Sequence, residues 1–573
     1  MSPMSRTSPP LGNGAIFASS GLDGPTDSRA RFVGVLQSVE FDDERLLRRI
    51  GVGFFPRSGR SIEIAFASGV HVTASLNDLV TGHDADGSPF GIGYAAWHTL
   101  VADIPETARV TFRSSQRDAP LTVAGGAVET DGSAVDAVAL RRDGRRLTVA
   151  CGSSGAEARS RAESGLRTSF AEISARVQSW YRRLPRTGED ALDQLLTKCA
   201  SVMRVNTLSA GDVIPVTWST PDRVPHRHLW LWDSVFHSFG MNELDPETAA
   251  SLLRAVLQAQ WADGMIPLSV KVEGGAERIT QPPVLAWGVW RNYERTGDRL
   301  LLVDALPVLD RYLRWFMAHR RDEETGLMTW QLRDDPDCRS DESGMDNSPR
   351  FDEDVAASVD LNVFAANDMS HLARIAAELG DDGLARAWNE RAAEVSLRTH
   401  QLLWDDDAEF YVDRRVDGIF SDVRAASGFL PLLLADIPAE RVDVLARALE
   451  DPRDFGTRVP VPSVSRSDPR WSTDMWRGPV WINVNYLIAT GLRARGRDEL
   501  ADRIRAATID VVGRYHRSHG VIFEFYDADD LVAPDRADRK GPPLPVYDHE
   551  AKIDTIRDFH WSAALTLALA LDT

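Results

Sequence analysis

Lysine is nearly absent from this chain. Of 65 basic residues, only Lys198, Lys271, Lys540 and Lys552 are lysines, and the rest are arginine. That bias reads as a property of the source genome. Cysteine is as scarce: Cys151, Cys199 and Cys338 are odd in number and far apart, so neither a disulfide framework nor a zinc spacing can be built from them. No apolar run has the form of a signal peptide or the length of a membrane span, which predicts a cytoplasmic protein with no membrane partner. Positive charge is in deficit, with 85 acidic residues and a formal net charge of -20. A nucleic acid or an anionic bilayer demands a basic face, so both are excluded as partners. There is no Walker loop, no glycine-rich cradle opening a helix and no HExxH pair. His226-Arg227-His228 has the wrong spacing for a helical metal site. No cofactor and no metal are expected.

What remains is acid and tryptophan. A chain of 573 residues is too long for one ordinary domain. Residues 1–30 are rich in Ser, Pro and Gly and read as a disordered tail. Residues 31–165 carry short alternating runs such as Ser61-Ile62-Glu63-Ile64-Ala65-Phe66, Ala108-Arg109-Val110-Thr111-Phe112 and Leu147-Thr148-Val149-Ala150. They predict an antiparallel, sandwich-like β-domain. Residues 166–187 form a helical linker with Phe170, Ile173, Val177 and Trp180 on one face. From 188 to 573 the period becomes helical, with amphipathic runs at 191–208, 246–261, 284–295, 299–319, 354–379, 384–403, 426–434, 439–449, 480–494, 499–517 and 559–571. Long joining segments full of Trp, Asp, Pro and Gly suggest an all-α closed toroid with a pocket built from its loops. An α-solenoid would show a fixed repeat, and this chain shows none.

Glycoside hydrolysis needs two carboxyl groups flanking one bond, one protonated and one ionised. Acids set among apolar, aromatic and turn residues are the ones whose ionisation can be tuned. Three pass that filter. Asp346 lies in Glu342-Ser343-Gly344-Met345-Asp346-Asn347-Ser348-Pro349-Arg350, where an Asx-turn is the plainer role. Glu524 lies in Phe523-Glu524-Phe525-Tyr526, where alternation could equally point it to solvent. Asp233, in Trp230-Leu231-Trp232-Asp233, could cap a helix starting at Ser234 or bind sugar hydroxyls beside stacking indoles. Trp287, Trp476, Trp481 and Trp561 are further stacking candidates.

In order along the chain, Trp230-Leu231-Trp232-Asp233-Ser234, Ile279-Thr280-Gln281-Pro282-Pro283, Ser343-Gly344-Met345-Asp346, Trp476-Arg477-Gly478-Pro479-Val480-Trp481 and Phe523-Glu524-Phe525-Tyr526 resemble the motifs of glycoside hydrolase family 63, in its mannosylglycerate and glucosylglycerate hydrolase branch. The resemblance covers 188–573. It implies an (α/α)6 barrel, an inverting mechanism, Asp346 as general acid and Glu524 as general base. It also implies a glycone site lined by Trp230, Trp232, Asp233 and Gly344, with Gln281 and Trp476 near the aglycone; Arg477 and Trp481 belong to the same substrate-binding set. The substrate class implied is a small α-glucoside or α-mannoside. Other glycosidases on the same barrel (trehalase, glucoamylase and rhamnosidase types) are the alternatives, followed by a catalytically dead sugar-binding protein. One departure stands out. The glycerate branch carries a tyrosine before Trp-Arg-Gly-Pro, and this chain has Met475, which offers no donor to a carboxylate. Together with a short segment between Pro267 and Gln281, that predicts an aglycone other than glycerate unless Arg477 supplies the missing contact.

Overall fold

The computed structural model describes residues 10–27, 32–54, 59–114, 119–123, 128–131, 137–545, 551 and 553–571. Among these, twelve strands form one antiparallel sheet: β1 (Ile16–Phe17), β2 (Gly34–Phe41), β3 (Leu47–Phe54), β4 (Arg60–Ser75), β5 (Leu79–His83), β6 (Pro89–Ala96), β7 (Thr99–Asp103), β8 (Arg109–Arg113), β9 (Leu121–Thr122), β10 (Val128–Asp131), β11 (Ala137–Asp143) and β12 (Arg146–Gly152). The long strand β4 serves both halves. Its first part pairs with β3 and β8, and its last residues pair with β5.

Two expectations about this region need correction. Of the predicted disordered tail, residues 1–9 and 28–30 lie outside the described residues, but 10–27 are built into the fold. Ile16 and Phe17 pair with β2, and both are buried; two apolar residues are enough to dock a segment whose composition otherwise reads as linker. The predicted β-domain also ends in a helix, α1 (Gly155–Leu166), which buries Ala158 and Ala162 against Ala137, Ala139 and Ala150 of β11 and β12. A second helix, α2 (Phe170–Tyr181), seats Phe170 on Gly91 of β6, where any side chain would collide with the ring.

The helical region contains α3 (Asp190–Val205), α4 (Leu231–Asn242), α5 (Pro246–Leu257), α6 (Leu285–Thr296), α7 (Arg299–His319), α8 (Val359–Leu379), α9 (Asp382–Leu402), α10 (Ala439–Glu450), α11 (Ile482–Ala494), α12 (Asp498–His519) and α13 (His560–Leu571). The run predicted at 426–434 is instead a 3-10 helix, Ala426–Leu433. Pro431 removes a donor there, and Gly428 is pressed against Phe410 and the Tyr411 carbonyl. Helices α4, α6, α8, the 3-10 helix, α11 and α13 touch in that order, and α13 closes on α4. Every residue of α4, and all of α13 from His560 to Ala570, is buried, as a helix surrounded by other helices requires. The outer helices keep one wet face; α10 buries only Val442, Leu445 and Leu449.

A buried polar seam joins the sheet to the helices. Lys198 of α3 meets Asp558 at 2.8 Å, and Asn77 and the Ile16 N–H donate to the same carboxylate. Arg204 pairs with Asp78 at 2.7 Å. Asp558 also accepts from the Ile522 N–H, so the sheet braces the segment that carries Glu524.

Candidate active site

The starts of α4, α6, α11 and α13 and the loop before α8 are linked by contacts: Trp232 to Gln281, Asn347 to Trp476, Trp481 to Trp561 and Ser562 to the Glu524 carbonyl. Helix N-termini carry partial positive charge, which favours anionic side chains. The first wall is indole. Trp232 donates its backbone N–H to Gln281 Oε1 at 3.1 Å, and the Gln281 carbonyl accepts from the Tyr312 hydroxyl at 3.1 Å. The next residue back, Thr280, is tied by its N–H to Glu342, a fully buried carboxylate gripped by Arg320. Gly344 closes the turn Asp341–Ser343 at φ +70, and a methyl group on it would lie 2.1 Å from Trp232 Cζ2. Gly344→Ala is therefore expected to push the indole out of place and to cost roughly 1–3 kcal/mol from overpacking, besides left-handed strain. A thermal melt within error of wild type would contradict this.

Two residues beyond Gly344, the Asp346 carboxylate accepts no capping bond among the described residues. Its Oδ2 lies 2.8 Å from Lys540 Nζ, and the side chain is one quarter exposed. The loop is pinned by Arg350, whose guanidinium bonds both Asp360 and Asp413 at 2.8–2.9 Å, all three residues being buried. The Asn347 side chain joins the tryptophan loop: its Oδ1 accepts from the Trp476 N–H at 3.1 Å, and it is hydrogen-bonded to Asp474.

Glu524 is buried rather than turned to solvent. Its backbone pairs with Ile556, and both carboxylate oxygens accept from Arg539, at 2.7 and 3.1 Å. Burial alone would lower Arg539, but Glu524, with Asp346 and Asp222 adding, outweighs it and holds the guanidinium firmly protonated. Asp233 is the third acid. The helix begins at Leu231 rather than Ser234, so Asp233 sits in its first turn and does not cap it. Burial first, then repulsion from Asp222, Asp346 and Glu524, pushes its carboxyl well above the usual range. Asp346 and Glu524 thus act on the same acid and on the same guanidinium.

Trp476 and Trp481 stack face to face, 3.9 Å between centroids and 3° from parallel, and both are buried. Trp481 donates to the Met475 carbonyl, and its ring packs on Trp561, which also meets Trp232 edge-on. Trp230 is half-buried and donates to the His226 carbonyl. The Arg477 fork grips Asp352 at 2.9 and 2.8 Å, and it donates to the Asn347 carbonyl, so it ties the Asp346 loop to the tryptophan loop.

Among the described residues one set has donor atoms spaced as a cation would need: Cys338, Asp341 and Asp346, within 4.8 Å of one another. The chain places its own cation there, since Lys540 Nζ lies 2.7 Å from Cys338 Sγ and 2.8 Å from Asp346. Burial, then Asp346, pushes the Cys338 thiol up to about 11 and the Asp341 carboxyl up to about 6.

Sequence motifs missed Arg539 and Lys540, which sit in a segment without any pattern. Lysine scarcity was the available signal. In a chain that otherwise uses arginine, Lys198 and Lys540 are both held in largely buried ion pairs.

Carboxylates, stacked indoles and a buried guanidinium gathered at the mouth of a helix ring are the equipment of a glycoside hydrolase. Residues 226–531 match the mannosylglycerate hydrolase MGH1-like glycoside hydrolase domain, and the chain belongs to that family, within glycoside hydrolase family 63. It is 27% identical to the mannosylglycerate hydrolase MGH1 of Selaginella moellendorffii over 58% of this chain and 80% of that protein. It is 26% identical to the glucosylglycerate hydrolase of Mycolicibacterium hassiacum over 58% of this chain and 92% of that protein. The crystal structure of the GH63 mannosylglycerate hydrolase from Thermus thermophilus in complex with glucose, 27% identical, superposes with a TM-score of 0.54 over 66% of this chain and all of that one. Among the described residues no helix is long and apolar enough to cross a membrane.

Proposed function

We propose that this chain is an inverting hydrolase of small α-glucosides or α-mannosides, with Asp346 as general acid and Glu524 as general base. The six inner helices are read as the core of an (α/α)6 barrel spanning 188–573, and the N-terminal sheet, which changes partners along β4, as a β-sandwich packed beside it. One observation carries the reading. Asp346 and Glu524 come from separate loops, yet consecutive residues, Lys540 and Arg539, bind them, and both act on Asp233.

Their environments differ as their tasks do. Glu524 is buried with both oxygens oriented by Arg539, ready to take a proton from a water attacking the anomeric carbon. Asp346 is more open, and from it a proton goes to the glycosidic oxygen as the bond breaks. An inverting pair stands about 6.5–9.5 Å apart so that the water fits between. Trp230, Trp232, Asp233 and Gly344 would hold the glycone, and Gln281 and Trp476 the aglycone side. The relatives' names point to glucosyl and mannosyl substrates, and the chain's membership of a hydrolase family leaves the sugar-binding alternative without support. Incubation with a panel of small α-glucosides and α-mannosides tests the proposal; hexose release from at least one is expected, and release from none would contradict it.

A further inference from the structure

A general acid works only from the right place. A misplacement of about 1 Å can cost about 10²-fold in rate, even when its cause is remote from the chemistry. Asp346 is one quarter exposed and sits on a loop, so its aim has to come from what anchors that loop. Two buried side chains do so, Glu342 and Arg350, each four residues from Asp346 along the chain. Arg350 is spent on Asp360 and Asp413, on the far side of the loop. Glu342 reaches further.

The Glu342 carboxylate accepts four hydrogen bonds. The Thr280 N–H donates to Oε1 at 3.1 Å and the Gln331 N–H to Oε2 at 2.9 Å. Arg320 adds Nε to Oε2 at 2.9 Å and Nη2 to Oε1 at 2.5 Å. Arg320 immediately follows α7, its N–H bonds back to the Phe316 carbonyl, and its guanidinium lies over Trp315 at 4.9 Å. The grip therefore comes from a helix end, which is a firmer support than a loop. Two closed circuits pass through this one carboxylate. In the first, Thr280 leads to Gln281, whose Oε1 accepts from the Trp232 N–H; Trp232 in turn lies against Gly344, two residues after Glu342. In the second, Gln331 follows Trp330, whose Nε1 donates to Asp360 Oδ1 at 3.0 Å, and Asp360 holds Arg350 at the other end of the loop. Both ends of the Asp346 loop are thus fixed to Trp330-Gln331, and the near end is fixed to the indole wall as well.

We propose that Glu342 is the positioning residue of the general acid: it sets Asp346 against the indole wall, and so against the glycosidic oxygen of a sugar held there. This rests on Asp346 being the general acid. Glu342 itself is fully buried and touches neither the sugar nor the reacting atoms. A buried ion pair that only held the fold could be replaced by packed apolar side chains at little cost. Glu342 cannot be replaced so, because it also satisfies two backbone N–H groups from segments far apart in sequence, and an apolar residue would leave both orphaned. Its effect on the reaction runs through the proton that Asp346 delivers. It should therefore matter in proportion to how much protonation the leaving group needs.

The experiment gives Glu342→Gln two glycosides of one hexose, an alkyl glycoside and an aryl glycoside whose phenolate departs unaided. Glutamine keeps the volume and returns one acceptor, but its amide nitrogen cannot accept from the second backbone N–H, so the loop loosens without a cavity. Turnover of the alkyl glycoside should fall about 10–10²-fold, and that of the aryl glycoside by less than about threefold. A carboxylate that merely held the fold would lower the melting temperature and leave the ratio of the two rates as in wild type. That unchanged ratio in a folded Glu342→Gln, with Asp346→Asn still losing only the alkyl glycoside, overturns the positioning role and leaves the hydrolase reading standing. If Glu342→Gln does not fold, Arg320→Lys decides by the same ratio, since lysine keeps the charge but not the two-pronged grip. The ratio should shift in the same direction, and an unchanged one overturns the proposal. Equal losses on both glycosides in Asp346→Asn, or wild type cleaving neither, overturn it together with the reading beneath it.

Discussion

Asp346→Asn is expected to lower kcat on an unactivated α-glycoside by about 10²–10⁴-fold, the usual worth of a positioned general acid. The fold should survive, because the side chain is partly open and the loop is held by Arg350, Asp360 and Asp413 rather than by Asp346 itself. The amide keeps the shape and an acceptor for Lys540 but cannot donate a proton from the same oxygen. The loss should depend on the leaving group. An aryl glycoside whose phenolate departs unaided needs little protonation, so the variant should recover most of its rate on it. A uniform loss across leaving groups, or near-wild-type turnover of the unactivated substrate, would show that another group is the acid.

Glu524→Gln should be as damaging, about 10²–10⁴-fold in kcat, but with a different signature. The base acts on the water, so the loss should be the same for activated and unactivated leaving groups. It also has a structural cost that Asp346→Asn lacks. Arg539 and Glu524 are both buried and bonded through two contacts, and a glutamine returns one acceptor but not the charge. A loss of stability of roughly 1–3 kcal/mol is expected, read as a lower melting temperature. Full activity in a folded variant would remove Glu524 from the mechanism.

Much of the candidate site was legible because it is built from short motifs. Trp232, Gly344, Asp346 and Glu524 each lie in a dense local pattern, and the Gly344 contact with Trp232 explains why two of those patterns must coexist. What could not be read is what the motifs touch. Arg539 and Lys540 lie 15 and 194 residues from the acids they hold, in a stretch with no periodicity. Arg477 was placed at the substrate from its motif, and only the fold reveals that Asp352 occupies it. In the β-region, alternation located β4, β8 and β12, but Thr148 of β12 is fully buried on the face that alternation assigns to solvent, because α1 covers it. The arginine- and glutamate-bearing sequence of α1 gave no hint of that cover.

The most direct test of the proposed mechanism is the anomeric form of the sugar at the moment of release. Following hydrolysis of an α-glycoside by proton NMR, faster than mutarotation, should show the β-hexose first, as a single displacement by the water held at Glu524 requires. First appearance of the α-hexose would mean a double displacement through a covalent intermediate, and would contradict the assignment of Glu524 as a base acting on water.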